Sequence, residues 1–465
     1  MKDVVSASLA APAATTGGVV HAPLRSEAEI KQWMAERLAS QLKIPAAAVD
    51  TSRSFDTHGI DSCAAVAITG ELEKVVERRL PPTLLVEHPT IDGVARELAR
   101  AASTDAMRSL HATIGSPAPH GELAGAPTKR AGRHKPPVVA AVIDGLGIAL
   151  PPRIKRNQDF TTSLDTTDEW IRSRTGIAER RIADPGVASS DLAIEAARRA
   201  IRCSGGSQFR AVVVATTTPD HPMPGVAPIV AGQLGLTGAA AFDIQAACAG
   251  FVYALATSAG LIAAGIADRV LVIGVDVMTR VCDPSDRATA VLFGDGAGAI
   301  TLRAGDPGEP GAIGPFDLGS DGEFASSLQI EAGGSRLPIT SEIDHRRFLS
   351  MDGGHVFRHA VRRMTESSRR VLASAGLSTA DVDQLVAHQA NARIIKAVGE
   401  QLGVARDRHV NNLDRYGNTA AASIPMALAA AAPQKGQRIL ITSFGAGYTW
   451  GSLLLTWPAL SPALD

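Results

Sequence analysis

Three side chains in this 465-residue sequence have the types and settings that acyl transfer needs: the thiol of Cys248, the imidazole of His388 and the carboxamide of Asn418. Cys248 lies in AFDIQAACAGFVYAL (Ala241–Leu255), between an apolar run ending at Ile244 and a helical stretch opening near Gly250. At a helix start the free N–H groups and the dipole lower a thiol's pKa and can donate to an oxyanion, as thioester exchange requires. The competing reading is a small buried filler, and position alone leaves both open. His388 follows the apolar run of LVAHQANARIIKAV, and Asn418 sits in a glycine-led turn of NNLDRYGNTAAASIPMAL. Both edges are places where elements of an α/β fold converge, although a structural histidine is equally compatible with such a place. A Cys–His–Asn set also serves papain-like proteases, but their CGSCW-type signature is missing and AACAG differs from it.

The elements that must position these groups read as buried strands. VVAAVIDGLGI, AVVVATTT, RVLVIGVDV, AGAITL, QLVAH and RILITSFGAG are short, nearly continuous apolar runs separated by alanine-rich helical stretches, the pattern of α/β layers with strands covered on both faces. RVLVIGVDV and RILITSFGAG share a basic-apolar-glycine form, which raises an internal duplication. The segment SPAPHGELAGAPTKRAGRHKPP (Ser116–Pro137) has no apolar period and reads as a linker. Ahead of it, SEAEIKQWMAERLASQL opens with a capping box, Ser26 with Glu29, and lines Ile30, Trp33, Met34, Leu38 and Leu42 on one helical face. The expected division is a disordered tail over 1–25, a small helical bundle over 26–101, a flexible linker over 102–136, and α/β halves over 137–303 and 304–465.

Bulk properties narrow the function. A net charge of −1 with 20% charged residues gives no support to nucleic-acid binding. No run reaches the ~18 apolar residues of a membrane span. Four cysteines without paired spacing do not make a disulfide framework or a zinc site, so a cytoplasmic, metal-free protein is expected.

In FDTHGIDSCAAVAITGELEKVVERRL, Ser62 stands at the head of a helix, where a phosphodiester would meet free N–H groups; a plain N-cap is the alternative. GIDS, the LE further along and EHPTI together make the segment 26–101 resemble an acyl carrier protein, a four-helix bundle. The resemblance implies 4′-phosphopantetheine on Ser62, attached by a phosphopantetheinyl transferase, with Cys63 replacing the usual Leu or Met. The segment holds 12 acidic and 9 basic residues, which suits docking on basic surfaces.

From about 138 to 458 the blocks DTTDEWIRSRTGI, AFDIQAACAGFVYAL, DRATAVLFGDGAGA, AHQANARII, DRYGNTAAASIP and FGAGYTWGS stand in the order found in β-ketoacyl-acyl-carrier-protein synthase III, which this region resembles. The resemblance implies a thiolase fold, two duplicated α/β halves in five αβαβα layers, and a homodimer. It makes Cys248, His388 and Asn418 the catalytic set, with oxyanion N–H groups from Cys248 and Ala446. It assigns Trp170, Arg174 and Arg287 to coenzyme A, Arg358 and Arg393 to carrier docking, and Met223 to a neighbouring subunit's acyl pocket. It treats FGDGAGA as a backbone feature, since the Lys-Ser/Thr of a P-loop is missing. The implied reaction joins an acyl-CoA starter to a malonyl thioester on acyl carrier protein with loss of CO2, in polyketide or fatty-acid-like biosynthesis. The alternative is transfer from Cys248 to a carrier thiol, hydroxyl or amine without condensation.

Overall fold

The computed structural model describes residues 26–42, 44–55, 57, 68, 71–73, 75–76, 80, 84, 88–100, 139–339 and 344–460. The chain separates into two compact units, one before and one after residue 131/132. The expected tail 1–25, Ser62 with Cys63, and the linker 102–136 lie outside the described residues.

In the first unit the helix α1 (Glu27–Leu42) begins as its capping box predicts: Ser26 N donates to Glu29 Oε2 at 3.0 Å and Glu29 N donates to Ser26 Oγ at 3.2 Å. Ile30, Met34 and Leu38 are buried with Leu72 and with Ile91, Val94 and Leu98 of a second helical stretch over 91–100. Each helix therefore hides one apolar stripe at a spacing of three or four residues.

The second unit holds two mixed sheets. The first runs β1 (Ala140–Ala149), β7 (Asp295–Gly305), β6 (Arg269–Val277), β4 (Ala211–Ala215), β5 (Ala240–Ile244) across its width. The second runs β11 (Gln384–Ala387), β12 (Arg438–Gly445), β13 (Thr449–Thr456), β8 (Ile313–Gly319). β6 pairs parallel with β4 and antiparallel with β7, while β12 pairs parallel with β11 and antiparallel with β13. RVLVIGVDV and RILITSFGAG thus occupy equivalent places in two similarly wound sheets, which answers the question of duplication.

Three cores give five layers. Helices α2 (Ser189–Ser204) and α3 (Val226–Gln233) cover one face of the first sheet through Ala193, Ala196, Val226 and Val230. Between the sheets, α4 (Gly250–Ala263) and α5 (Ser423–Ala431) join Phe251, Leu255, Ile424 and Leu428 to Val213, Val272, Ile441 and Leu453. α6 (Gly353–Ser374) and α7 (Ala392–Leu402) close the outer face of the second sheet. Strands covered on both sides need no polar alternation, which is why they read as continuous apolar runs.

Candidate active site

Cys248 and His388 sit where strands end against the central helix layer, and Asn418 sits in the turn that leads into one of its helices. β5 ends at Ile244, a single turn spans Ala247–Ala249, and α4 begins at Gly250, so Cys248 occupies the entry to a central helix. Ala247 adopts a left-handed φ of 47°, a bend that an L side chain accepts only under strain. Gly445, at the end of β12, packs against this turn, and a Cβ there would lie 2.6 Å from Cys248 N. Ser443 Oγ donates to Cys248 O at 2.7 Å and Thr449 Oγ1 donates to Ala246 O at 2.9 Å, so the turn Ala446–Tyr448 is tied to the cysteine turn from both sides. Tyr448, left-handed at φ 51°, fixes the far end: its hydroxyl meets Ser327 Oγ at 2.6 Å and His355 Nδ1 at 2.5 Å.

His388 follows β11 directly, and its backbone N donates to Thr442 O at 2.9 Å. Its ring Nδ1 lies 2.6 Å from Ser423 Oγ. Asn418 is strapped to the FGDGAGA segment, donating from N to Leu292 O at 2.9 Å and accepting from Gly294 N at 3.0 Å. Asn418 Oδ1 accepts from Ala420 N at 2.9 Å, which turns its amide Nδ2 away from that backbone. Cys248, His388 and Asn418 line one cavity of about 570 Å3, together with Ala246, Ala446 and Phe444. Its apolar walls include Met278, Phe293, Leu349, Phe357 and Ile394.

The electrostatics depart from the sequence expectation. Cys248 is half-buried where it opens onto the cavity, and desolvation pushes its thiol up to about 12, with the buried Asp276 carboxylate adding to the effect and the residue's own N–H opposing it. A helix start was expected to acidify this thiol; the burial imposed by the surrounding layers outweighs the local N–H field. His388 is 3% exposed, and burial drives its imidazole down to about 3, so the ring is neutral throughout the physiological range. Asp276, fully buried, is raised above the ordinary carboxylate range by desolvation, although Thr216, Thr217 and Thr218 hydroxyls and the Thr217 and Ala421 N–H groups all donate to it at 2.8–3.2 Å. It clamps the ends of β4 and β6 to the turn that follows Asn418.

The remaining sequence candidates fall in two places. Arg287 stacks over the Trp170 ring at 4.7 Å and donates to Asp165 O at 2.6 Å. Arg174 is exposed on the same helix as Trp170 (Asp168–Thr175), and its carbonyl accepts from Asn391 Nδ2 at 3.1 Å, which joins that helix to the cavity rim. Arg358 and Arg393 are exposed, with the Arg393 guanidinium 6.0 Å from the ring of the cavity residue Phe357. Met223 is 86% exposed and does not line the cavity of its own chain. Among the described residues no group of three or more His, Cys, Asp or Glu is placed to hold a metal ion.

Sequence reasoning missed Asp276, Ser423, Ser443 and Gly445. One signal was available for the first: an acid inside RVLVIGVDV must find donors, and the consecutive threonines of AVVVATTT supply them.

Comparison with known proteins gives matches along most of the chain. A family model described as 3-oxoacyl-[acyl-carrier-protein] synthase III matches residues 242–322, and its C-terminal counterpart matches 372–457. A phosphopantetheine attachment site model matches residues 32–98, a span that includes Ser62. β-Ketoacyl-[acyl-carrier-protein] synthase III 3 of Streptomyces coelicolor is 50% identical over 331 residues, 70% of this chain and 99% of that protein. Among solved structures, the 3-oxoacyl-(acyl carrier protein) synthase III of Pseudomonas aeruginosa is 47% identical with a TM-score of 0.65, covering 70% of this chain and all of its own. The priming β-ketosynthase of the R1128 polyketide pathway is 34% identical with a TM-score of 0.64, covering 71% of this chain and 99% of its own. The chain belongs to the β-ketoacyl-acyl-carrier-protein synthase III family of acyltransferases, with a thiolase fold and, ahead of it, a domain that carries covalent 4′-phosphopantetheine.

Proposed function

We propose that this protein condenses an acyl-CoA starter with a malonyl thioester carried on its own phosphopantetheine arm at Ser62, as a cytoplasmic homodimer that primes a polyketide or fatty-acid-like chain. Carrier 26–101, linker 102–136 and halves 137–303 and 304–465 are the working parts. The observation that carries the reading is the meeting of one sulfur and two donors on one apolar cavity: Cys248, neutral His388, and Asn418 with its carbonyl oxygen already engaged.

Trp170, Arg174 and Arg287 hold the adenine and phosphates of coenzyme A, through stacking and guanidinium–phosphate pairing. The acyl carbon leaves the CoA sulfur for Cys248 Sγ, and CoA departs with the cysteine's proton. Cys248 and Ala446 N–H groups receive the oxyanion of this step. The arm then brings the malonyl thioester past Arg358 and Arg393. Its C–CO2 bond breaks, CO2 leaves, and His388 Nε2 and Asn418 Nδ2 donate to the thioester oxygen on which the enolate charge develops. The enolate carbon attacks the acyl carbon, and Cys248 leaves as a thiolate that solvent reprotonates.

The homodimer reading rests on β5, a sheet-edge strand whose positions are all partly or fully exposed, and on the exposed Met223. Paired chains would hand Met223 to the neighbour's acyl pocket and set starter length. A chain of ~35 residues has an r.m.s. reach of about 30–35 Å if it behaves as a flexible coil, which would keep the arm's local concentration high. The test is His388→Ala and Asn418→Ala: both variants still take an acyl group onto Cys248, and neither releases CO2 from a malonyl thioester. Unchanged CO2 release refutes the roles. A product heavier by two carbons separates condensation from simple transfer.

A further inference from the structure

We infer that Ser423 fixes the tautomer of His388, donating its hydroxyl to Nδ1 so that the ring's single proton sits on Nε2, the nitrogen that faces the substrate. This rests on the reading that His388 donates to the malonyl thioester oxygen, and it supplies what makes a neutral ring a donor there. A neutral imidazole has one N–H and one lone pair, and only the ring with hydrogen on Nε2 can stabilise the enolate.

Counting hydrogens decides the direction. Ser423 is 1% exposed at the first turn of α5, with its Oγ 2.6 Å from His388 Nδ1 and 3.3 Å from Gln389 N. A backbone N–H can only donate, so the Gln389 contact uses an Oγ lone pair and leaves the hydroxyl hydrogen in need of an acceptor. Among the described residues, Nδ1 is the acceptor within reach. The reverse arrangement, Nδ1–H donating to Oγ, would bury the serine hydrogen without a partner, which folded proteins rarely keep. Burial holds the ring neutral, so a second ring proton cannot make the choice irrelevant. Ser423 also stands five residues after Asn418, whose Oδ1 is engaged by Ala420 N. One short stretch, Asn418 to Ser423, therefore orients both donors by satisfying each one's inner atom. Ser423 is a positioning residue; it touches no reacting atom.

The experiment uses the full-length phosphopantetheinylated protein as wild type, Ser423→Ala, Ser423→Thr and His388→Ala. Side-chain 15N shifts of histidine-labelled protein, with His388→Ala assigning the signal, show the proton on Nε2 in wild type and a mixture of tautomers in Ser423→Ala. With malonyl-CoA as probe, Ser423→Ala lowers the kcat of decarboxylation about tenfold or more while KM stays within about twofold, the pattern of an interaction made only in the transition state. Acylation of Cys248 by acetyl-CoA and butyryl-CoA keeps its wild-type rate, and Ser423→Thr restores decarboxylation. A wild-type proton on Nδ1, or full decarboxylation in Ser423→Ala, overturns the inference. If His388→Ala itself decarboxylates normally, the underlying reading fails; if His388→Ala is inactive and Ser423→Ala is not, the tautomer assignment alone fails. Should Ser423→Ala not fold, the wild-type 15N spectrum and the threonine variant still decide.

Discussion

The state of the Cys248 thiol can be tested by alkylation as a function of pH. Burial with the nearby Asp276 raises this thiol from 9.0 to about 12, so its thiolate fraction near neutrality is lower than that of an ordinary cysteine by about three decades. A more basic thiolate is also a better nucleophile, and a Brønsted slope of ~0.4–0.5 over three units returns about 1.2–1.5 decades. Iodoacetamide should therefore modify Cys248 of the free protein roughly 30- to 60-fold more slowly at pH 7 than it modifies a small unhindered thiol. Because the group remains protonated well above neutrality, its rate should climb about tenfold per pH unit with no plateau below pH 10. The assay is peptide mass spectrometry of timed, quenched samples, with Cys282 as an internal control because burial raises it to about 12 as well. A plateau below pH 8 would mean that the helix entry acidifies Cys248 as its sequence setting suggests, and would refute the argument from desolvation.

Two other perturbations separate parts of the proposal. Gly445→Ala would press a methyl to 2.6 Å from Cys248 N, so the Ala446 turn must shift; acylation should slow by about tenfold or more while CoA binding by isothermal calorimetry is unchanged. Ser62→Ala should abolish self-condensation from malonyl-CoA and a transferase yet leave Cys248 acylation intact, as read by intact-protein mass, and a separately supplied malonyl carrier should restore product only at far higher concentration.

Several strands were legible because layers on both faces make them uninterrupted apolar runs; β4, β6, β11 and β12 lie where those runs stand. The ribbons were not. β2 (Arg153–Arg156) and β3 (Glu179–Ile182) spell RIKR and ERRI, and their pairing is secured by Arg180, fully buried, which donates to Lys155 O, Asn157 Oδ1 and Val291 O. Three acceptors distant in sequence make that cation tolerable, and no local pattern announces them. The reactive trio was legible as candidates, since each stands at a strand or turn end, but their resting protonation was not. Local reasoning counts the N–H groups beside Cys248, whereas the burial that decides its pKa is assembled by strands and helices from 200 to 450. Ser423 stayed hidden for a similar reason: a serine opening a helix reads as a cap, and only the fold brings a ring nitrogen to its oxygen.

The cysteine turn belongs to the first sheet's repeat, whereas His388, Asn418 and Ala446 all belong to the second. On the proposed roles neither repeat alone has a complete reaction centre: one would supply the acyl acceptor, the other the charge-stabilising donors. On that proposal the reaction centre lies at the seam, and cutting the chain between its repeats would leave neither piece with the full set of side chains.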